Sequence, residues 1–96
     1  MKSTGSHQEW LIKNLKDPKE AAAYLEAALE EGDEKLLLLA LRNVAEAHGM
    51  AKVAKKAHLN RESLYRTLSK RGNPELKTLK AILGALGFRL SLEPAN

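Results

Sequence analysis

Ninety-six residues make one small domain, near the lower end of what a single core can stabilise, so burial added by self-association would be of use. The composition is 44% hydrophobic but only 4% aromatic, with no cysteine. That suits a helical core of Leu and Ala, excludes disulfides and thiolate metal centres, and fits a reducing cytoplasm. The net charge of +4 hides a split: residues 1–48 carry six Lys/Arg against nine Asp/Glu, a balance of −3, and residues 49–96 carry ten against three, a balance of +7. A polyanion is expected to meet the second half.

In chain order, Met1 to His7 is polar and without periodicity, and residues 1–8 are expected to be disordered. One domain is expected over residues 9–93, followed by a tail at 94–96. Glu9 to Leu15 forms a short segment anchored in the core by Trp10, Leu11 and Leu15. Asp17 then caps a helix with Pro18 at its first position, Glu20 completes a capping-box spacing, and Gly32 ends it. Asp33 caps the next helix, whose LLLLALRNVAEAHG run is apolar nearly all round and predicts a buried central helix ending near Gly49. Two short helices follow, Met50 to Ala57 and Arg61 to about Ser69. Asn73 with Pro74 is expected to cap a last helix through Leu86, stopped by Gly87. Phe88 to Leu92 (FRLSL) alternates apolar and polar residues as a half-buried strand does, and an unpaired strand would need a partner, either an N-terminal segment or the same strand of a second subunit. The fold class is therefore all-α, a helix-turn-helix bundle of five to six helices with a candidate C-terminal strand.

The stretch from Gly49 to Ser69, GMAKVAKKAHLNRESLYRTLS, carries the strongest functional signal. Val53 and Ala54 give the first helix a small apolar contact face, and Leu59 follows a turn of about four residues. Asn60 is a good N-cap, and Leu64 and Leu68 lie four apart on the buried stripe of the second helix. Rotating by roughly 100° per residue from Leu64 points Glu62, Arg66 and Ser69 away from the core, with Tyr65, Ser63 and Lys70 on the flanks. The turn position, which favours glycine because its φ is positive, is His58; histidine is among the side chains that tolerate this region at some cost in strain.

Such a helix suits the major groove, where arginine donates to guanine edges and glutamate accepts from cytosine. The candidate base-reading residues are Arg61, Glu62, Tyr65, Arg66 and Ser69. The phosphate candidates are Lys52, Asn60, Ser63, Lys70, Arg71 and Lys77. Tyr65 has packing along the core edge as its competing role. His7, His48 and His58 lack metal-ligand spacing, and no metal or other cofactor is expected. There is no G-x-S-x-G, Gly-rich phosphate loop, H-E-x-x-H or cysteine nucleophile, and Glu26, Glu30, Glu31 and Glu34 are spaced as on a solvated helix face. An enzyme is not expected. No apolar run approaches the roughly 18 residues of a membrane span and no apolar signal segment opens the chain, so the expectation is a soluble cytoplasmic protein without a membrane partner.

The run from Gly49 to Ser69, the GNPELKTLKAILGALGFRLSL that follows from Gly72, and the upstream YLEAALEEGDEKLLLLALRNVAEAHGM together resemble the probable addiction-module antidote proteins. These are a HigA-like antitoxin family with a lambda-repressor-like DNA-binding fold. The resemblance covers roughly residues 9 to 93. The family usually has Gly where His58 stands and Ser or Thr where Asn60 stands. The resemblance implies an antitoxin of a type II toxin–antitoxin operon that neutralises a RelE-like ribonuclease toxin by direct binding and represses its own operon. With the helix-turn-helix and the tail strand, the expected partners are double-stranded operator DNA, a small basic toxin and a second copy in a homodimer. The alternative is a solitary phage-type or chromosomal regulator with no toxin partner.

Overall fold

Three short polar side chains start three of the helices. Asp17 accepts from the Lys19 N–H at 2.9 Å, Asp33 from Lys35 at 2.9 Å, and Asn60 from Ser63 at 2.7 Å. Each satisfies a backbone donor that the first helical turn leaves open. The structure, a computed structural model, describes residues 3–95. Its elements are α1 (Ser3–Asn14), α2 (Pro18–Glu31), α3 (Glu34–His48), α4 (Met50–Lys56), α5 (Arg61–Thr67) and α6 (Leu76–Ala85), with no strand among the described residues. The protein is an all-helical bundle. Helix α3 lies against α1, α2 and α4, and α4 in turn carries α5 and α6.

The ends of α4 and α6 share one geometry. After α6, the Gly87 N–H donates to Gly84 and the Phe88 N–H reaches back to the Leu83 carbonyl at 2.8 Å. After α4, the His58 N–H donates to Lys55 and the Leu59 N–H to the Ala54 carbonyl at 2.8 Å. These are paired 5→2 and 6→1 bonds around a left-handed residue, φ 91° at Gly87 and φ 61° at His58. The turn anticipated from sequence is thus present, with a β-carbon in a conformation that costs L-residues about 1–2 kcal/mol. His58 is exposed and makes no side-chain hydrogen bond among the described residues. Since glycine loses some of that gain to backbone entropy, His58→Gly is expected to stabilise the protein by about 0.5–1 kcal/mol. Thermal unfolding should show a Tm rise of about 4 °C, and a fall would mean that the imidazole makes a contact of its own.

The core threads these helices together. Leu15, Leu41, Val44, Val53, Leu64, Leu68 and Ile82 are its largest fully buried side chains. Leu64 and Leu68, the pair expected on one stripe of α5, are each worth about 1.5–3 kcal/mol of burial. Asn43 is the one buried polar side chain among the described residues. Its carboxamide donates to the Tyr24 hydroxyl at 2.8 Å and accepts from Gln8 at 3.1 Å, tying α1 and α2 to α3.

Several expectations from sequence give way here. Helix α1 begins at Ser3, whereas residues 1–8 were expected to be disordered; Met1 and Lys2 lie outside the described residues. The Gln8–Asn43 bond and Leu11 and Leu15 beneath it anchor the helix, and extending a helix from an anchored turn is cheaper than nucleating one. Trp10 is no core anchor: it is 60% exposed, with its ring stacked on His7. Leu36 and Leu39 in the first turns of α3 are also exposed, because neighbouring helices cover only one side of that end. Glu20 does not close a capping box; its carboxylate accepts from the Asn14 side chain at 3.5 Å. Asn73 and Pro74 do not cap α6, which starts at Leu76 with Glu75 at the cap position, since the chain from Gly72 stays non-helical through Glu75.

Phe88 to Leu92 is not a strand. Phe88 closes the end of α6 and packs on the core. Leu90 is half-exposed along a groove beside Leu29 and Leu83, Leu92 is exposed, and no strand edge is present among the described residues to pair with them.

Candidate nucleic-acid interface

Helices α4 and α5 and the connection between them set the candidate surface. Val53 and Ala54 of α4 and Leu64 of α5 are buried, which fixes the two helices face to face and leaves the opposite side of α5 outward. On that outward side Glu62 and Arg66 are exposed, as the rotation from Leu64 requires, and Arg61 is exposed at the start of the helix on the flank it shares with Tyr65. No acidic side chain pairs with Arg61 or Arg66 among the described residues; Arg66 only donates weakly to the Ser63 hydroxyl at 3.5 Å. A guanidinium held this way has most of its five donors available to a ligand.

Two of the five base-reading candidates sit differently. The Ser69 hydroxyl donates to the Arg66 carbonyl at 2.7 Å and accepts from the Arg71 N–H at 3.3 Å, so it closes the end of α5. Tyr65 is half-buried against the core, and two guanidiniums lie against its ring: Arg61 at 5.9 Å and Arg42 at 5.3 Å from the centroid. Both distances fall within cation–π range.

Among the phosphate candidates, Lys52, Lys70, Arg71 and Lys77 are exposed. They lie on α4, the turn after α5 and the first turn of α6, and α4 packs against both α5 and α6. Asn60 is exposed, but its side-chain oxygen is occupied in capping α5, which leaves only its NH2 to give to a phosphate. Ser63 is half-buried, with its hydroxyl against Arg66.

The loop that carries Lys70 and Arg71 is held by two groups. The Gly72 N–H donates to the Ser69 carbonyl at 2.9 Å, and the Gly72 α-carbon lies so close to Thr67 that an added β-carbon would overlap the Thr67 carbonyl.

Arg42 was missed by reasoning from sequence. It stands on α3, outside the helix-turn-helix, in a run read as core. An Arg four residues before a Glu on a helix was the only local signal, and it foretold the Arg42–Glu46 ion pair at 3.7 Å rather than the approach to Tyr65.

Among the described residues no group of three or more His or carboxylate side chains gathers to hold a metal, and no helix is long and apolar enough to cross a membrane.

An uncharacterized protein of Haemophilus influenzae is similar to this chain at 33% identity over 86 residues, which is 90% of this chain and 89% of the relative. No solved structure gives a significant match. Residues 8–94 match the model of a family described as probable addiction module antidote protein, a span that takes in the second half of α1 and every later helix, and the chain belongs to that family.

Proposed function

We propose that this protein is an antitoxin that binds double-stranded DNA at its own operator through α5, represses that operon, and neutralises a small basic RelE-like ribonuclease toxin through the acidic half of the chain. The observation that carries the DNA reading is the amphipathic α5, buried through Leu64 on one side and presenting Glu62 and Arg66 on the other, with Arg61 exposed at its first turn, within the basic half. Family membership supports the antitoxin role. A toxin face is supported by the α2–α3 corner, where exposed Leu29 lies beside Glu26 and exposed Leu36 beside Glu31, with Glu30 and Glu34 also exposed. Apolar anchors inside a ring of charge suit a basic protein partner. Exposed Leu90 and Leu92 on the extended tail offer apolar surface to a second subunit, and a two-fold dimer would place two copies of α5 on an inverted repeat.

Two substitutions test the reading face. Arg66→Ala is expected to cost about 1–3 kcal/mol on the operator and relax base preference at one position, whereas Lys70→Ala weakens all duplexes alike. Titration of labelled operator and of unrelated duplex separates them. A uniform loss in both variants would move base reading off the Glu62–Arg66 face.

A further inference from the structure

We infer that Arg42 is a positioning residue for the reading helix, holding the Tyr65 ring of α5, and with it Arg61, from a helix that lies outside the helix-turn-helix. The inference rests on the DNA-binding reading above.

Three observations converge on it. The Arg42 guanidinium sits 5.3 Å from the Tyr65 ring centroid, and the Arg61 guanidinium sits 5.9 Å from the same centroid. Glu46, one turn further along α3, holds Arg42 by its Nε at 3.7 Å. Tyr65 is itself half-buried, with its ring packed on the core.

The arrangement separates positioning from direct contact. A guanidinium that faces a carboxylate through its Nε and lies on a ring has its charge partly offset and its plane turned to the ring, which favours bracing over a phosphate contact. The same arrangement is a good brace. Helix α5 is only seven residues long and packs chiefly on α4, so it gains a lateral support from α3 through this ring. Arg61 and Tyr65 lie four apart on one stripe of α5, so fixing the ring also limits where Arg61 rests. Cation–π attraction grows as water leaves. A DNA backbone closing over this stripe would desolvate the ring and strengthen the brace in the bound state.

The test uses the full chain and duplexes enriched by the wild-type protein from a random-sequence pool. Arg42→Met keeps the aliphatic stem and removes the guanidinium. The expected result is about a fivefold loss of preference for enriched over random duplex, the size of a cation–π contact, with the slope of log affinity against log salt unchanged. Arg42→Lys should restore most of the preference. In a Tyr65→Leu background, Arg42→Met should have no further effect, since the ring it braces is gone.

An unchanged preference overturns the inference, as does full additivity with Tyr65→Leu. A salt slope shallower by about one unit also overturns it, because that marks a phosphate contact. Circular dichroism melts establish that each variant is folded; if Arg42→Met is not, Arg42→Gln takes its place under the same criteria. Failure of the wild-type protein to enrich any duplex removes the DNA reading and this inference together, whereas enrichment by wild type with no change in the variant removes this inference alone.

Discussion

Raising monovalent salt from about 50 to about 200 mM is expected to weaken the complex with operator DNA about a hundredfold. Each phosphate neutralised by a cation releases condensed counterions, and log affinity falls by about 0.9 per contact for each tenfold rise in salt. Lys52, Lys70, Arg71 and Lys77 are the four cationic phosphate candidates, all exposed and none ion-paired among the described residues. Four contacts give a slope near −3.6, and a fourfold rise in salt then costs about two powers of ten. The acidic first half does not cancel this, because surface charges more than about 7–14 Å away are screened across this range of ionic strength. Fluorescence anisotropy across a salt series reads the slope directly. A value shallower than about −1 would mean that these cations do not face phosphates.

Gly72→Ala is expected to be the most damaging conservative change near the candidate interface, lowering stability by about 2–3 kcal/mol and Tm by about 10–20 °C. A β-carbon there would overlap the Thr67 carbonyl oxygen and stand 2.7 Å from its carbon and 3.1 Å from the Ser69 oxygen. All three are backbone atoms, so no side chain can swing aside. Relief requires moving either the end of α5, where Leu68 is fully buried, or the loop that carries Lys70 and Arg71. The first option loses core packing, and the second displaces two phosphate candidates. Differential scanning calorimetry tests the stability loss, and DNA titration well below the new Tm tests the displacement. A variant with unchanged Tm would show that the loop relaxes freely and plays no part in holding α5. Together with His58→Gly, expected to act in the opposite direction, it asks whether backbone fit on either side of α5 is set by the presence or absence of one β-carbon.

The local rules written in the sequence determined much of this protein. Asp17, Asp33 and Asn60 cap helices, Gly32 and Gly87 end them, and His58 takes the positive φ of the turn before α5. The buried stripe of α5, with Leu64 and Leu68, also follows its spacing. Each of these features joins groups within a few residues of one another, so the chain itself supplies both partners. The outward placement of Glu62 and Arg66 follows in turn from the helical period.

Only the tertiary structure decided the rest. Whether Trp10, Leu36 and Leu39 are covered depends on which helix stands opposite, and hydrophobicity alone does not name the opposite helix. The tail alternates like a strand, yet a strand exists only where another edge meets it. The Ser69 hydroxyl was legible as outward-facing and is instead held by the turn geometry that Gly72 permits. Gln8 meets Asn43, and Arg42 meets Tyr65, across helices far apart in the chain. No sequence period connects such pairs, because their distance is set by how α3 packs against α1, α2 and α4, and that packing is a property of the whole core.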